Sequence, residues 1–331
     1  MSVKERYIVG VDLGGTNIVA GAMPLDGSRE IAMQTRPTLA EGGAGAVVER
    51  IAGMIEQVVA QTIAETGAER ADFLGVGIGS PGPLDRENGI VIVTPNLGWK
   101  NFPLRDEISK RVHLEATLEN DANCATLGEF WCGAAVGGRN VIGMTLGTGI
   151  GGGLILDGKL YHGASDVAGE IGHATVDITG RRCKCGNYGC LEAYASGPAI
   201  AERAREALRG EEESVLLAMA GGDAKKITAQ TVYEAAKKGD TVAREVVRET
   251  AGFLGAGVSN LLNIFNPDVV VLAGGVTQAG DALFEPLRAE VRRRAFKPAV
   301  DACRIVAGAL PLSAGVVGAI ATFKMKTLGE L

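Results

Sequence analysis

One pattern occurs twice in this chain. Val9-Gly10-Val11-Asp12-Leu13-Gly14-Gly15-Thr16 runs on into Asn17-Ile18-Val19-Ala20-Gly21. About 130 residues later, Val141-Ile142-Gly143-Met144-Thr145-Leu146-Gly147-Thr148-Gly149 runs on into Ile150-Gly151-Gly152-Gly153. Each copy reads as an apolar strand, a Gly/Thr turn and a second apolar strand. Two such copies in 331 residues imply two α/β halves of similar build, within the usual range for two domains. No Pro/Ser-rich linker separates them, so the halves should pack closely around a shared cleft.

The rest of the pattern fits alternating strands and helices. Strands are expected at residues 7–12, 17–23, 31–36, 73–78, 90–93, 114–118, 141–146, 154–156, 268–272 and 304–307. Apolar residues at helical spacing predict helices at 44–66, 104–112, 122–133, 192–208, 231–238, 242–264, 283–294 and 314–326. Residues 147–153 read as one glycine turn, and Asn96-Leu97-Gly98-Trp99 as a loop in which the Trp packs. The uncharged run 305–323 contains Pro311, Ser313 and three glycines, so it reads as strand, turn and buried helix rather than a membrane span.

Composition narrows the function classes. Charged residues are 22% and hydrophobic residues 46%, which excludes general disorder. A net charge of −6 argues against a basic nucleic-acid-binding surface. The 48 glycines are about twice the background of roughly 7%, and their clustering marks places where backbone turns tightly or approaches something closely. The N-terminal residues show no apolar signal segment, and three of the six cysteines crowd into eight residues. Both features point to a cytoplasmic protein without a disulfide framework.

Four groups of residues carry chemistry. Gly14, Gly15 and Thr16, with Gly147, Thr148 and Gly149, offer backbone N–H groups and hydroxyls suited to phosphate oxygens. Either turn alone could be an ordinary hairpin; the pair, with Asp12 at a strand end, favours phosphate. Asp12 could hold Mg²⁺ through water. Glu119-Asn120-Asp121-Ala122-Asn123 falls between a strand and a helix. One of its residues should cap the helix. The functional reading makes Asp121 a general base and Asn120 a donor to a substrate hydroxyl. His173 with Cys183, Cys185 and Cys190 completes a Cys₃His set, read as a closed structural zinc site. Glu170 and Glu192 flank it and, with Asn96, form a polyol-binding set. His113 and His162 have no such context and read as ordinary surface or core histidines.

These motifs resemble the ROK family of repressors, open reading frames and sugar kinases. They are most similar to its bacterial glucokinases. The resemblance runs nearly end to end, and Cys183-Lys184-Cys185-Gly186-Asn187-Tyr188-Gly189-Cys190-Leu191-Glu192 after Gly172-His173 is its most specific part. It implies an α/β, actin-like ATPase (ribonuclease H-like) fold of two α/β domains with an interdomain cleft. The small domain would span residues 1–119 plus about 312–331, the large one 120–311, and the last helix would return to the small domain. The implied reaction is ATP-dependent phosphorylation of glucose at the 6-hydroxyl, the first step of glycolysis, with Asp121 as base. Asn96, Asn120, Glu170, His173 and Glu192 would hold the sugar. Gly14, Gly15, Thr16, Thr148 and Gly149 would hold the phosphates of Mg-ATP, with Gly274 and Gly275 near the adenosine. Ala273 stands where many members have a third Gly. A homodimer or dimer of dimers is implied, with no membrane or nucleic-acid partner.

Two other readings share these motifs. One is a kinase for N-acetylmannosamine, N-acetylglucosamine, fructose or allose. The other is a sugar-sensing repressor, disfavoured because such members carry an N-terminal helix-turn-helix and the first strand here is expected at Tyr7.

Overall fold

The computed structural model describes residues 4–94, 96–208, 214–329 and 331. The first half begins with β1 (Tyr7–Leu13), β2 (Asn17–Pro24) and β3 (Ile31–Pro37), followed by helix α1 (Gly43–Thr66) and β4 (Phe73–Ser80). Next come the short strands β5 (Leu84–Asp85), β6 (Ile90–Thr94) and β7 (Trp99–Phe102). Helix α2 (Leu104–Val112), β8 (Glu115–Asn120) and helix α3 (Asp121–Cys132) complete it. The main sheet has the order β3-β2-β1-β4-β8, while β5-β6-β7 form a separate three-stranded sheet. In the main sheet β1 pairs antiparallel with β2 and parallel with β4, which pairs parallel with β8.

The second half opens with β9 (Val141–Leu146), β10 (Ile150–Leu156) and β11 (Lys159–Leu160). Its helical layer comprises α4 (Glu192–Ala195), α5 (Gly197–Ala207), α6 (Leu216–Met219), α7 (Ala229–Lys237) and α8 (Thr241–Phe265). Then follow β12 (Val269–Ala273), α9 (Asp281–Arg294), α10 (Lys297–Ala302), β13 (Arg304–Ala307) and α11 (Ala314–Leu328). The sheet order is β11-β10-β9-β12-β13, again an antiparallel hairpin continued by two parallel pairings. The two sheets therefore repeat one topology, as the sequence repeat requires.

Glycine lets the halves close on each other. Helix α11 packs on β1, β4 and α3. A Cβ on Gly77 of β4 would sit 1.8 Å from the Ala319 carbonyl oxygen, and one on Gly318 of α11 would sit 1.6 Å from the Cys124 carbonyl oxygen. Backbone thus lies against backbone on both sides of α11. That placement explains the uncharged 305–323 run: Val316, Val317, Ile320 and Phe323 are buried against Ile8 and Met23. Among the described residues no helix is long and apolar enough to cross a membrane.

Three expected elements differ in detail. Strand β10 begins at Ile150, so the glycine turn ends there and Gly151-Gly152-Gly153 are strand. Helix α3 crosses them closely: a Cβ on Gly153 would lie 2.4 Å from Thr126 Oγ1. The helix expected at 192–208 is two helices, because Ser196 is extended, caps α5 by accepting from the Ala199 N–H, and is followed by Pro198. Trp99 opens β7 instead of lying in a loop; it is buried and packs on Phe102 at 4.7 Å between ring centroids, in line with its packing role.

Candidate functional site

The strand ends of both sheets meet at a cleft of about 830 Å³. It is lined from the first half by Gly15, Thr16, Asn96 and Asn120. Asp121, at the start of α3, lies between these and the second half, which contributes Thr148, Gly149, Glu170, His173, Glu192 and Gly274. Most of the residues singled out in the sequence therefore share one cavity. Cys183, Cys185 and Cys190 lie behind its wall, and three of the phosphate, magnesium and nucleotide candidates do not line it. Gly14 lies within the first turn, where its N–H donates to the Asn17 carbonyl at 2.9 Å. Gly275 lines an adjoining cavity of about 130 Å³ with Gln230, Tyr233 and Val276. Asp12 sits at the end of β1 and faces the start of α11, where a Cβ on Gly315 would meet its carboxylate.

The β8–α3 junction places the candidate base. Asn120 is the N-cap of α3, its Oδ1 accepting from the Ala122 N–H at 2.9 Å and the Asn123 N–H at 3.1 Å. Asp121 therefore begins the helix and lines the cleft; its Oδ1 accepts from the Ala122 N–H at 2.8 Å. Burial pushes the Asp121 carboxyl above its ordinary range and Glu170 adds to this, against the Ala122 N–H, which lowers it. Asp12 is pushed up to about 7, by burial first and then by Asp121. Two carboxyls raised by burial, one of them on the cleft, mark this as a candidate site for proton transfer.

The opposite wall is built by the cysteine loop. Glu192 begins α4, and its Oε2 accepts from the Ile150 N–H at 2.9 Å, tying α4 to the second Gly/Thr turn. Gly186 and Gly189 adopt positive φ of 98° and 71°, so the chain between Cys183 and Cys190 folds back on itself. The ligand atoms of His173, Cys183, Cys185 and Cys190 all lie within 4.8 Å of one another. Cys185 Sγ is 3.7 Å from Cys190 Sγ, and Cys183 Sγ is 3.8 Å from His173 Nδ1. A tetrahedron with arms of ~2.3 Å has edges of about 3.8 Å, so the donor set fits a tetrahedral metal. With Nδ1 on the thiol side, His173 Nε2 points to Glu170 Oε2 at 3.8 Å. All six cysteines are free thiols.

Sequence reasoning left two groups aside. Asp166 and the Pro81-Gly82-Pro83 turn also line the cleft. His162, an ordinary surface or core histidine by sequence, lies against the buried carboxylate of Glu119, 3.0 Å from its Oε2. The available signal is Glu119 itself, an acidic residue in the buried part of β8.

Two halves of one topology, with a Gly/Thr turn from each on one cleft, define an α/β protein of the actin-like ATPase fold. The family model described as "ROK family" matches residues 8–326. The chain belongs to the ROK family. It is 40% identical over 328 residues to a glucokinase of Thermotoga maritima, covering 99% of this chain and 100% of that one. A ROK glucokinase from Streptomyces griseus, solved with glucose and AMPPNP, superposes with a TM-score of 0.81 at 36% identity, covering 96% of this chain and 98% of that chain. A xylose repressor of Caldicellulosiruptor bescii is 34% identical over 273 residues, 82% of this chain and 68% of that one.

Proposed function

We propose that this protein is a glucokinase, transferring the γ-phosphoryl group of ATP to the 6-hydroxyl of glucose. The observation that carries this reading is that Asp121 shares one cleft with residues of both Gly/Thr turns and with Asn96, Glu170, His173 and Glu192. Asp121 accepts the proton of the 6-hydroxyl as its oxygen attacks the γ-phosphorus and the bond to the β-phosphate oxygen breaks, releasing ADP. Phosphoryl transfer depends on positioning and charge neutralisation. Gly15, Thr16, Thr148 and Gly149 hold the phosphates, and Gly274 with Gly275 borders the adenosine. Asp12 would hold Mg²⁺ through water, which neutralises phosphate charge. His173, Cys183, Cys185 and Cys190 would hold a structural Zn²⁺. That set fixes the His173 ring, leaving Nε2 for a sugar hydroxyl beside Glu170 and Glu192. Asn96 and Asn120 complete the sugar contacts.

The same reading divides the chain into a small domain, residues 1–119 plus about 312–331, and a large one, 120–311. Packing of α11 on β1 and β4 supports the return of the last helix. It also carries a cytoplasmic location and a homodimer or dimer of dimers.

An ADP-release assay with Mg-ATP and glucose, mannose, fructose, N-acetylglucosamine and N-acetylmannosamine tests the proposal. Glucose should give by far the highest kcat/KM. Preference for an N-acetylhexosamine would overturn the substrate while keeping the reaction. No turnover with any sugar would overturn the reaction.

A further inference from the structure

Glu119 is a buried carboxylate, 1% exposed, and both its oxygens are used. Oε1 accepts from the Asn120 N–H and from Asn123 Nδ2, each at 2.9 Å. Oε2 accepts from Arg86 Nε at 2.9 Å and lies 3.0 Å from His162 Nε2. Burial pushes the Glu119 carboxyl up, but the His162 bond and the Arg86 charge outweigh it and hold the group below its usual range. Arg86 continues the chain of contacts, its Nη1 donating to Asp166 Oδ1 at 2.8 Å.

Three remote stretches meet here: the turn after β5, the β8–α3 junction, and the loop at residues 161–170 that ends in Glu170. Arg86 is the branch point. One edge of its guanidinium serves Glu119 and the other Asp166, a fork that lysine cannot reproduce. Asp166 adopts φ +59°, a left-handed backbone that Asp tolerates better than most residues and that marks a tight turn in this loop. Arg86, Glu119 and His162 open on a separate cavity of about 750 Å³, and Asp166 lines both that cavity and the catalytic cleft. Arg86 itself does not line the cleft.

We infer that Arg86 is a positioning residue for sugar binding. Through Glu119 it fixes the junction that presents Asp121, and through Asp166 it fixes the loop that presents Glu170. The distance between the base and the sugar-holding carboxylate is set by this one cation. The inference rests on the kinase reading above and adds to it a residue that touches no substrate.

Two variants test it. Asp166→Asn leaves the buried Glu119–Arg86 pair whole; Arg86→Lys keeps a charge beside Glu119 and gives up the second arm. The hexose KM should rise about tenfold in each, the worth of one charge-assisted hydrogen bond, with the nucleotide KM within about twofold of wild type. The double variant should be no worse than Arg86→Lys alone, since both break one link. Amide hydrogen exchange across residues 162–170, measured without substrate, should quicken in both single variants. An unchanged hexose KM, a parallel rise in both KM values, additive effects in the double variant, or unchanged exchange would each overturn the inference. Absence of sugar turnover in the wild type would instead overturn the kinase reading, while the exchange measurement still decides whether Arg86 holds the loop.

Discussion

Replacing Asp121 by Asn separates catalysis from stability in a direction the structure dictates. The substitution is nearly isosteric. Asn keeps an oxygen to accept from the Ala122 N–H, now at 2.8 Å, and the cap of α3 is untouched because it belongs to Asn120. What vanishes is the proton acceptor. General-base contributions begin at about 10²-fold, so kcat should fall at least that far, about 2.7 kcal/mol in the barrier, with the glucose KM largely kept. Stability moves the other way. Burial and Glu170 disfavour the ionised Asp121 carboxylate, and a neutral amide escapes both penalties. The variant should melt at or above the wild-type temperature at pH 7.5. Coupled ADP release measures the first effect and thermal unfolding the second. Near-normal turnover would refute the base assignment. Lost activity together with a lower melting temperature would show that Asp121 acts as a structural residue.

Three further expectations follow from other parts of the molecule. The Asp12 carboxyl, raised to about 7 from an ordinary 3.8, holds a proton in the folded chain that the unfolded chain has already released. Its contribution to ligand-free stability is therefore lost as pH rises from about 4 to 7. Asp12→Asn should flatten the fall in melting temperature across pH 5–8, and identical slopes would count against the shift. Metal analysis should find about one Zn per chain; Cys190→Ser should abolish it and raise the hexose KM by releasing His173, whereas full activity in zinc-free protein would rule the site out. Gly318→Ala, which in an exposed helix would stabilise by roughly 1 kcal/mol, should here lower stability by about 1–3 kcal/mol, read from the urea midpoint, because its Cβ would strike the Cys124 carbonyl.

Much of this was legible in the chain because local chemistry dictated it. The repeated strand–turn–strand appears as two sheets of one topology, since a run such as Tyr7 to Leu13 can bury its apolar side chains only in a sheet's interior. The glycines that allow a close turn at Gly186 and Gly189 also announced the cysteine loop. Competition between Asn120 and Asp121 for the helix cap could not be resolved from residue type, because both are good caps. Backbone geometry at the end of β8 assigns the cap to Asn120 and leaves Asp121 for the cleft.

Other features exist only once the chain is folded. Gly151, Gly152 and Gly153 read locally as turn, yet they pair with β9, and α3 crosses Gly151 and Gly153 closely. Arg86, Glu119, His162 and Asp166 carry no periodicity or spacing that connects them, since their contacts span up to 80 residues of sequence. Short-range order follows from propensity, capping and hydrophobic period, which act within a few residues and can be read along the chain. Which charge neutralises a buried carboxylate, and which backbone crosses which glycine, depends on separations of a few ångströms between remote segments, and only packing sets those distances.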